Sequence, residues 1–236
     1  MGRPVRLKDV QIITFDCYGT LIDWEGGAKQ TLRGLLEKNP PATAGEVPLD
    51  VVLDQFFQAW ERAQWELIHG PYQRYRDIAR EAFVEVAAVH GLPLGVNEGR
   101  AFADSIATWK PFPDTIAALQ KLQQYGLRLG IISNIDDDIL AATVKLLGVD
   151  FSLKMTAQQA RAYKPSTVPF QRALEKLALP PPQVAHAGFG FEYDMGPAAE
   201  LGMHTILVKR ARVEYPPTPV PDLIVADLAE LASLFD

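Results

Sequence analysis

The chain has 236 residues, 48% hydrophobic and 22% charged, with a net charge of −6 from 23 Lys and Arg against 29 Asp and Glu. A chain this long buries roughly 70–75% of its unfolded surface without staples, and an acidic balance with no basic block argues against nucleic acid or an anionic membrane as partner. The single cysteine, Cys17, leaves no internal disulfide and suits a reducing cytoplasm, no apolar run approaches a membrane span, and the opening MGRPVRLKDVQ lacks the apolar core of a secretory leader.

Residues 10–15 (VQIITF) are short, apolar and β-branched, the pattern of a strand buried on both faces. Further strands are expected at 127–132, 183–187, 204–208 and 223–225. Helical spacing marks 114–125, 136–147 with Gly148 as its stop, and 168–179 ahead of Pro180-Pro181-Pro182. Strand and helix alternating this way predict an α/β fold, a doubly wound parallel sheet with right-handed crossovers. Residues 22–107 break the alternation. Leu49, Leu53, Phe56, Trp60, Ala63 and Leu67 recur every three or four residues and mark one long amphipathic helix. Ile78, Phe83, Val86 and Ala87 mark another, and 101–109 a third. The expectation is a sheet domain made of 1–21 and 108–236, with an all-helical domain, 22–107, inserted into it.

Parallel sheets bind ligands beyond the carboxyl ends of their strands, so the residues that follow each strand carry the functional signal. They are Asp16-Cys17-Tyr18-Gly19-Thr20 after the first, Ser133-Asn134 after the second, Lys164-Pro165 before the 168–179 helix, and Gly188 leading to Asp194 after the 183–187 strand. Two carboxylates, a hydroxyl–amide pair and a lysine thus converge on one edge.

This ordered set resembles the haloacid dehalogenase superfamily along nearly the whole chain: DxYGT at 16–20, an apolar run ending in Ser133-Asn134, Lys164-Pro165, and a glycine-rich segment reaching Asp194. The 22–107 block lies where that family places its C1-type cap on a Rossmann-like core. The resemblance implies nucleophilic catalysis, in which Asp16 forms a covalent intermediate that water then hydrolyses. Lys164 keeps Asp16 ionised, Thr20 and Ser133 orient nucleophile and substrate, and Asp194 assists the water. The backbone at Cys17 and Tyr18, together with Ser133 and Asn134, binds the substrate carboxylate. Arg62, in the run WERAQWE at 60–66, is the candidate for the arginine with which dehalogenases cradle the halide.

Two departures separate subclasses. Phosphatases of the family carry a second Asp where this chain has Tyr18; that acid protonates an alkoxide leaving group and is worth ~10²–10⁴ in rate, whereas a halide needs no proton. Magnesium-dependent members carry an Asp where this chain has Phe189, and Mg²⁺ wants several hard oxygen ligands. Both changes point to the metal-independent, cofactor-free L-2-haloacid dehalogenase branch, acting on a small anionic 2-haloacid through an aspartyl ester. The alternatives are a phosphatase with a weak Mg²⁺ site at Asp16 and Asp194, acting on a small phosphate monoester, and a catalytically inactive scaffold. Phe170, Phe189 and Phe191 stand where dehalogenases carry Tyr, Ser and Asn, so a drier site is expected. Trp60, Trp65, Tyr72 and Tyr75 either line the cap-facing pocket or pack the helices. His186 is expected to be a satisfied structural histidine, and Arg210 and Arg212 to be solvated. Oligomeric state is open, a homodimer being the commonest closed assembly.

Overall fold

A computed structural model describes residues 9–41, 45–210 and 218–235. The strands β1 (Ile12–Phe15), β2 (Arg128–Ser133), β3 (Leu153–Thr156), β4 (Val184–Gly188), β5 (His204–Val208) and β6 (Leu223–Val225) form one sheet in the order β3-β2-β1-β4-β5-β6. Every pairing is parallel. All four β1 residues are buried, as its unbroken apolar run requires for a strand with both faces covered. The chain winds outward from β1 through β2 to β3, then returns to the other side of β1 at β4. That reversal creates a crevice at the carboxyl ends of β1, β2 and β4, and Asp16, Ser133 and Gly188 lie there.

β3 was not anticipated. It is a four-residue segment, LKMT, whose Lys154 is exposed at the sheet edge, too short to carry a periodic signal. The helices α1 (Trp24–Lys38), α2 (Leu49–Ile68), α3 (Tyr75–Val89) and α4 (Val96–Ser105) follow β1, and α5 (Thr115–Gln124) leads into β2. α1 also escaped the sequence reading. Gly26, Gly27 and Gly34 each cost about 1 kcal/mol of helix propensity relative to Ala and mask the buried series Ala28, Leu32, Leu36. Its start is fixed by Asp23, whose side chain accepts from the Gly26 N–H at 3.0 Å. α4 begins earlier than the expected 101–109 helix, and residues 106–108 form a separate 3₁₀ turn.

Aromatic packing connects the helical block to the crevice. Trp24 stacks on the fully buried Trp60 at 5.0 Å, Trp60 meets Phe102 edge-on at 4.8 Å, and Trp24 meets Tyr18 edge-on at 5.9 Å. Among the described residues, no helix is long and apolar enough to cross a membrane.

Candidate active site

Asp16 is the residue at which β1 ends, and its N–H is held by the Ala187 carbonyl of β4 at 2.9 Å. Lys164 lies in the loop before α7 (Val168–Leu177). Its Nζ donates to Asp16 Oδ1 at 2.9 Å, to Asp194 Oδ1 at 2.6 Å and to the Ile132 carbonyl at 3.0 Å. All three ammonium protons are thus matched, which is what a fully buried lysine requires. Thr20 donates to the other Asp16 oxygen at 3.1 Å and accepts from the Phe189 N–H at 3.0 Å. Phe189 lies over Gly19, where φ is +96° and a Cβ would run into the ring. Glycine is therefore needed here for both backbone and space.

Asp194 projects from a π-helical turn, Phe191–Met195, a geometry that accommodates an extra residue and recurs at functional sites. Its Oδ2 accepts from the Gly190 N–H at 3.1 Å, and its Oδ1 is shared by Lys164 and His186 Nε2, the latter at 3.1 Å. Gly188 makes room for it, since a Cβ there would strike the carboxylate. His186 Nδ1 lies 2.9 Å from Thr14 Oγ1. Burial holds the His186 pKa below its ordinary value despite Asp194. In the neutral form a carboxylate partner requires the proton on Nε2, and Nδ1 faces the Thr14 hydroxyl, which also donates to the Ala185 carbonyl at 3.1 Å. His186 is satisfied, as expected, but it also belongs to the site: Thr14, His186, Asp194, Lys164 and Asp16 form one continuous buried chain of hydrogen bonds.

One ammonium serves two carboxylates, and they divide unequally. Burial raises the Asp16 carboxyl, and Lys164 offsets this only in part because Asp194 pushes the same way. Burial acts on Asp194 too, but Lys164 and His186 together pull it below its ordinary range. Burial opposes the Lys164 charge, and the two carboxylates overcome it. Lys164 therefore favours the Asp16 anion, as expected, and shares its charge with Asp194.

Asp16, Lys164, Asp194, Ser133 and Asn134 border a cavity of about 100 Å³. Asn134 is a clamp on the lysine loop, its Nδ2 donating to the Lys164 carbonyl at 2.9 Å and its Oδ1 accepting from the Lys164 N–H at 2.7 Å. Much of its hydrogen-bonding capacity is thereby committed, contrary to a purely substrate-binding role. Cys17 is fully buried and does not border the cavity; burial pushes its thiol pKa up. Tyr18 turns its hydroxyl away to Thr143 Oγ1 of α6 (Asp137–Leu147), at 2.7 Å, and burial raises its pKa well above the ordinary value.

On the cap side, Glu61, Gln64 and Ile68 of α2 reach the cavity. They stand at i, i+3 and i+7, one helical face. Arg62 is one residue, about 100° of helix rotation, off that face; it is exposed and does not border the cavity, so the structure does not bring the expected halide cradle to the site. Tyr75 borders the cavity and hydrogen-bonds Gln64 through its hydroxyl. Trp60 is core, Trp65 packs edge-on against Tyr193, and Tyr72 stacks on Tyr163. Trp24, Glu61, Gln64, Ile68 and Tyr193 escaped the sequence reading, although the series begun by Glu61 along α2 is visible in hindsight. Arg210 is not solvated: its guanidinium donates to the Thr20 carbonyl at 3.0 Å and to Asp114 at 2.8 Å, and covers the Phe112 ring. Arg212 lies outside the described residues.

The donor set does not fit a divalent ion. The Lys164 ammonium already pairs with one oxygen each of Asp16 and Asp194, and Phe189 contributes no oxygen ligand. Among the described residues, no group of three or more His, Cys, Asp or Glu side chains is arranged to hold a metal.

Residues 10–202 match a family model described as haloacid dehalogenase-like hydrolase. Haloacetate dehalogenase H-2 of Moraxella sp. (strain B) is 27% identical over 177 residues, 73% of this chain and 74% of its own. (S)-2-haloacid dehalogenase 4A of Burkholderia cepacia is 25% identical over 206 residues, 86% of this chain and 85% of its own. The L-2-haloacid dehalogenase of Xanthobacter autotrophicus, solved with chloropropionic acid covalently bound, superposes with a TM-score of 0.78 at 22% identity, covering 95% of this chain and 98% of that one; this last likeness is one of fold.

Proposed function

The chain belongs to the haloacid dehalogenase-like hydrolase family, and we propose that within it this protein hydrolyses the carbon–halogen bond of a small 2-haloacid without a metal. The observation that carries the reading is the Lys164 ammonium between Asp16 and Asp194, 2.9 and 2.6 Å from their oxygens. The lysine provides the positive charge that the two acids need, pairing with Asp16 Oδ1, and Oδ2, held by the Thr20 hydroxyl alone, keeps a lone pair with which to attack carbon. The Moraxella and Burkholderia relatives are named for haloacetate and (S)-2-haloacid dehalogenation, in keeping with that chemistry.

Asp16 attacks the α-carbon from the side opposite the halogen, forming an ester as the halide leaves with the bonding pair. Thr20 and Lys164 fix the carboxylate so that one lone pair faces the cavity. The Ser133 hydroxyl and the backbone N–H groups of Cys17 and Tyr18 receive the substrate carboxylate. Water then attacks the ester carbonyl. Asp194, kept ionised by Lys164 and His186, is the group placed to take the proton of that water, with His186 holding it in position. A cavity of about 100 Å³, some three water volumes at ~30 Å³ each, suits an acid of a few heavy atoms. The compartment we favour is a reducing cytoplasm, on the single buried thiol of Cys17.

The test is halide release from L-2-chloropropionate with and without chelator, run beside p-nitrophenyl phosphate. The expected result is chelator-insensitive halide release that Asp16→Asn abolishes. Chelator-sensitive phosphate release with no halide would sink the reading in favour of a phosphatase, and no turnover on either substrate in favour of an inactive scaffold.

A further inference from the structure

An anion leaving the α-carbon toward the cap needs a cation or a hydrogen-bond donor to receive it. Among the described residues bordering the cavity or the outer cleft of about 900 Å³ that opens from it, every cation is already matched. Lys164 has its three acceptors, Lys29 pairs with Glu25 and Asp54, and Arg210 with Asp114 and the Thr20 carbonyl. Gln64 donates to the Trp60 carbonyl at 3.2 Å, and Tyr75 donates to Gln64. Glu61 stands where α2 meets both the cavity and the cleft.

We propose that Glu61, as a neutral carboxylic acid, receives the departing halide by donating its O–H to it while Asp16 displaces it. This rests on the haloacid reading. The Asp16 oxygen–carbon bond forms as the carbon–halogen bond breaks, the bonding pair leaves on the halide, and the proton stays on Glu61. Hydrolysis of the ester then returns Asp16 and releases the hydroxy acid and one proton. The groups facing Glu61 are Glu25, Lys29 and the Trp24 N–H from α1, Tyr75 from α3, Tyr193 from the π turn, and Asp16 across the cavity. Glu61 as a residue is exposed at the cavity rim; crowding of its carboxyl by the surrounding protein, then the Glu25 charge, push it up to about 7 against the Trp24 hydrogen bond and Lys29. The acid form is therefore populated at and below neutral pH, and ionisation removes the donor and adds a repelling charge.

The experiment is kcat/KM for halide release from chloro-, bromo- and fluoroacetate on either side of pH 7 for wild type, Glu61→Gln and Glu61→Ala. Wild type is expected to lose activity about tenfold per pH unit above the Glu61 pKa. Glu61→Gln, which keeps an N–H donor, retains activity and loses that pH dependence. Glu61→Ala falls about 10²-fold below pH 7, as for loss of one preorganised donor, and falls furthest on fluoroacetate because fluoride is the strongest acceptor of the three. If Gln and Ala variants behave alike, or if Ala matches wild type, Glu61 is not the donor and the proposal is overturned. If wild type itself releases no halide from any of the three, the haloacid reading falls first, a separate outcome.

Discussion

Replacing Asp16 with Asn should abolish turnover and make the protein more stable. The site buries one ammonium and two carboxylates, an uncompensated negative charge. With Lys164 contacts of 2.9 and 2.6 Å, the two acids sit at most about 5.5 Å apart, so at an effective dielectric of 20 they repel by about 3 kcal/mol. The same estimate gives about 6 kcal/mol of attraction between Asp16 and Lys164, a net gain of about 3. Against it stands the several kcal/mol that a buried carboxylate loses in hydration. The raised Asp16 pKa means that hydration loss wins. The sign follows: with a folded-state pKa above the ordinary 3.8, Asp16 favours folding at low pH, and this is lost as pH rises through the folded value. Asn removes the charge, keeps an oxygen for Lys164 and nearly keeps the shape. Urea or thermal unfolding at pH 7 should show a gain in stability, with Tm rising ~2–4 °C for each kcal/mol gained in a chain of this size, and the gain shrinking under acid conditions. A variant less stable than wild type at pH 7 would refute the claim that Asp16 is held ionised at a cost.

Three further outcomes follow from the same geometry. Tyr18→Phe breaks only the bond to Thr143; stability should fall by about 1 kcal/mol with halide release little changed, whereas a loss near 10²-fold would mean that the phenol takes part in the chemistry. Asn134→Ala removes both bonds that seat the Lys164 backbone; kcat should drop about 10²-fold, the usual result of misplacing a reacting group by an ångström, and an unchanged kcat would count against the clamp. His186 has a folded-state pKa below its ordinary 6.5, so its stabilising contribution is present above that value and is lost as pH falls through the folded pKa; His186→Asn should unfold with a flatter dependence on pH in that window, measured by denaturant titration at several pH values.

Much of the architecture was legible because strands and catalytic groups share a rule. The expected strand 10–15 holds for Ile12 to Phe15, buried on both faces, with Gln11 exposed before it, and Asp16 had to emerge where a parallel sheet exposes its ligand edge. Tyr18 and Phe189 were informative through what they replace. What stayed hidden depended on neighbours distant in sequence. α1 is stabilised by Trp24 stacking on Trp60 rather than by its glycine-rich sequence, and β3 by pairing with β2. His186 looked structural because nothing in QVAHAG shows that a π turn folds Asp194 back to 3.1 Å from its ring. Arg62 was the natural halide ligand by residue type, but a single helical step leaves it off the cavity while the equally exposed Glu61 borders it. Arg210 looked solvated until the fold brought Asp114 and the Thr20 carbonyl to it.

The most direct test of the central claim is a single turnover of excess enzyme on L-2-chloropropionate in heavy-oxygen water, with the tryptic peptide carrying Asp16 analysed by mass spectrometry. If Asp16 attacks carbon and water attacks the resulting ester, the heavy oxygen enters the Asp16 carboxylate and the first-turnover lactate carries none. Label in the lactate and none in Asp16 would mean that water displaces the halide directly, and Asp16 would no longer be the nucleophile.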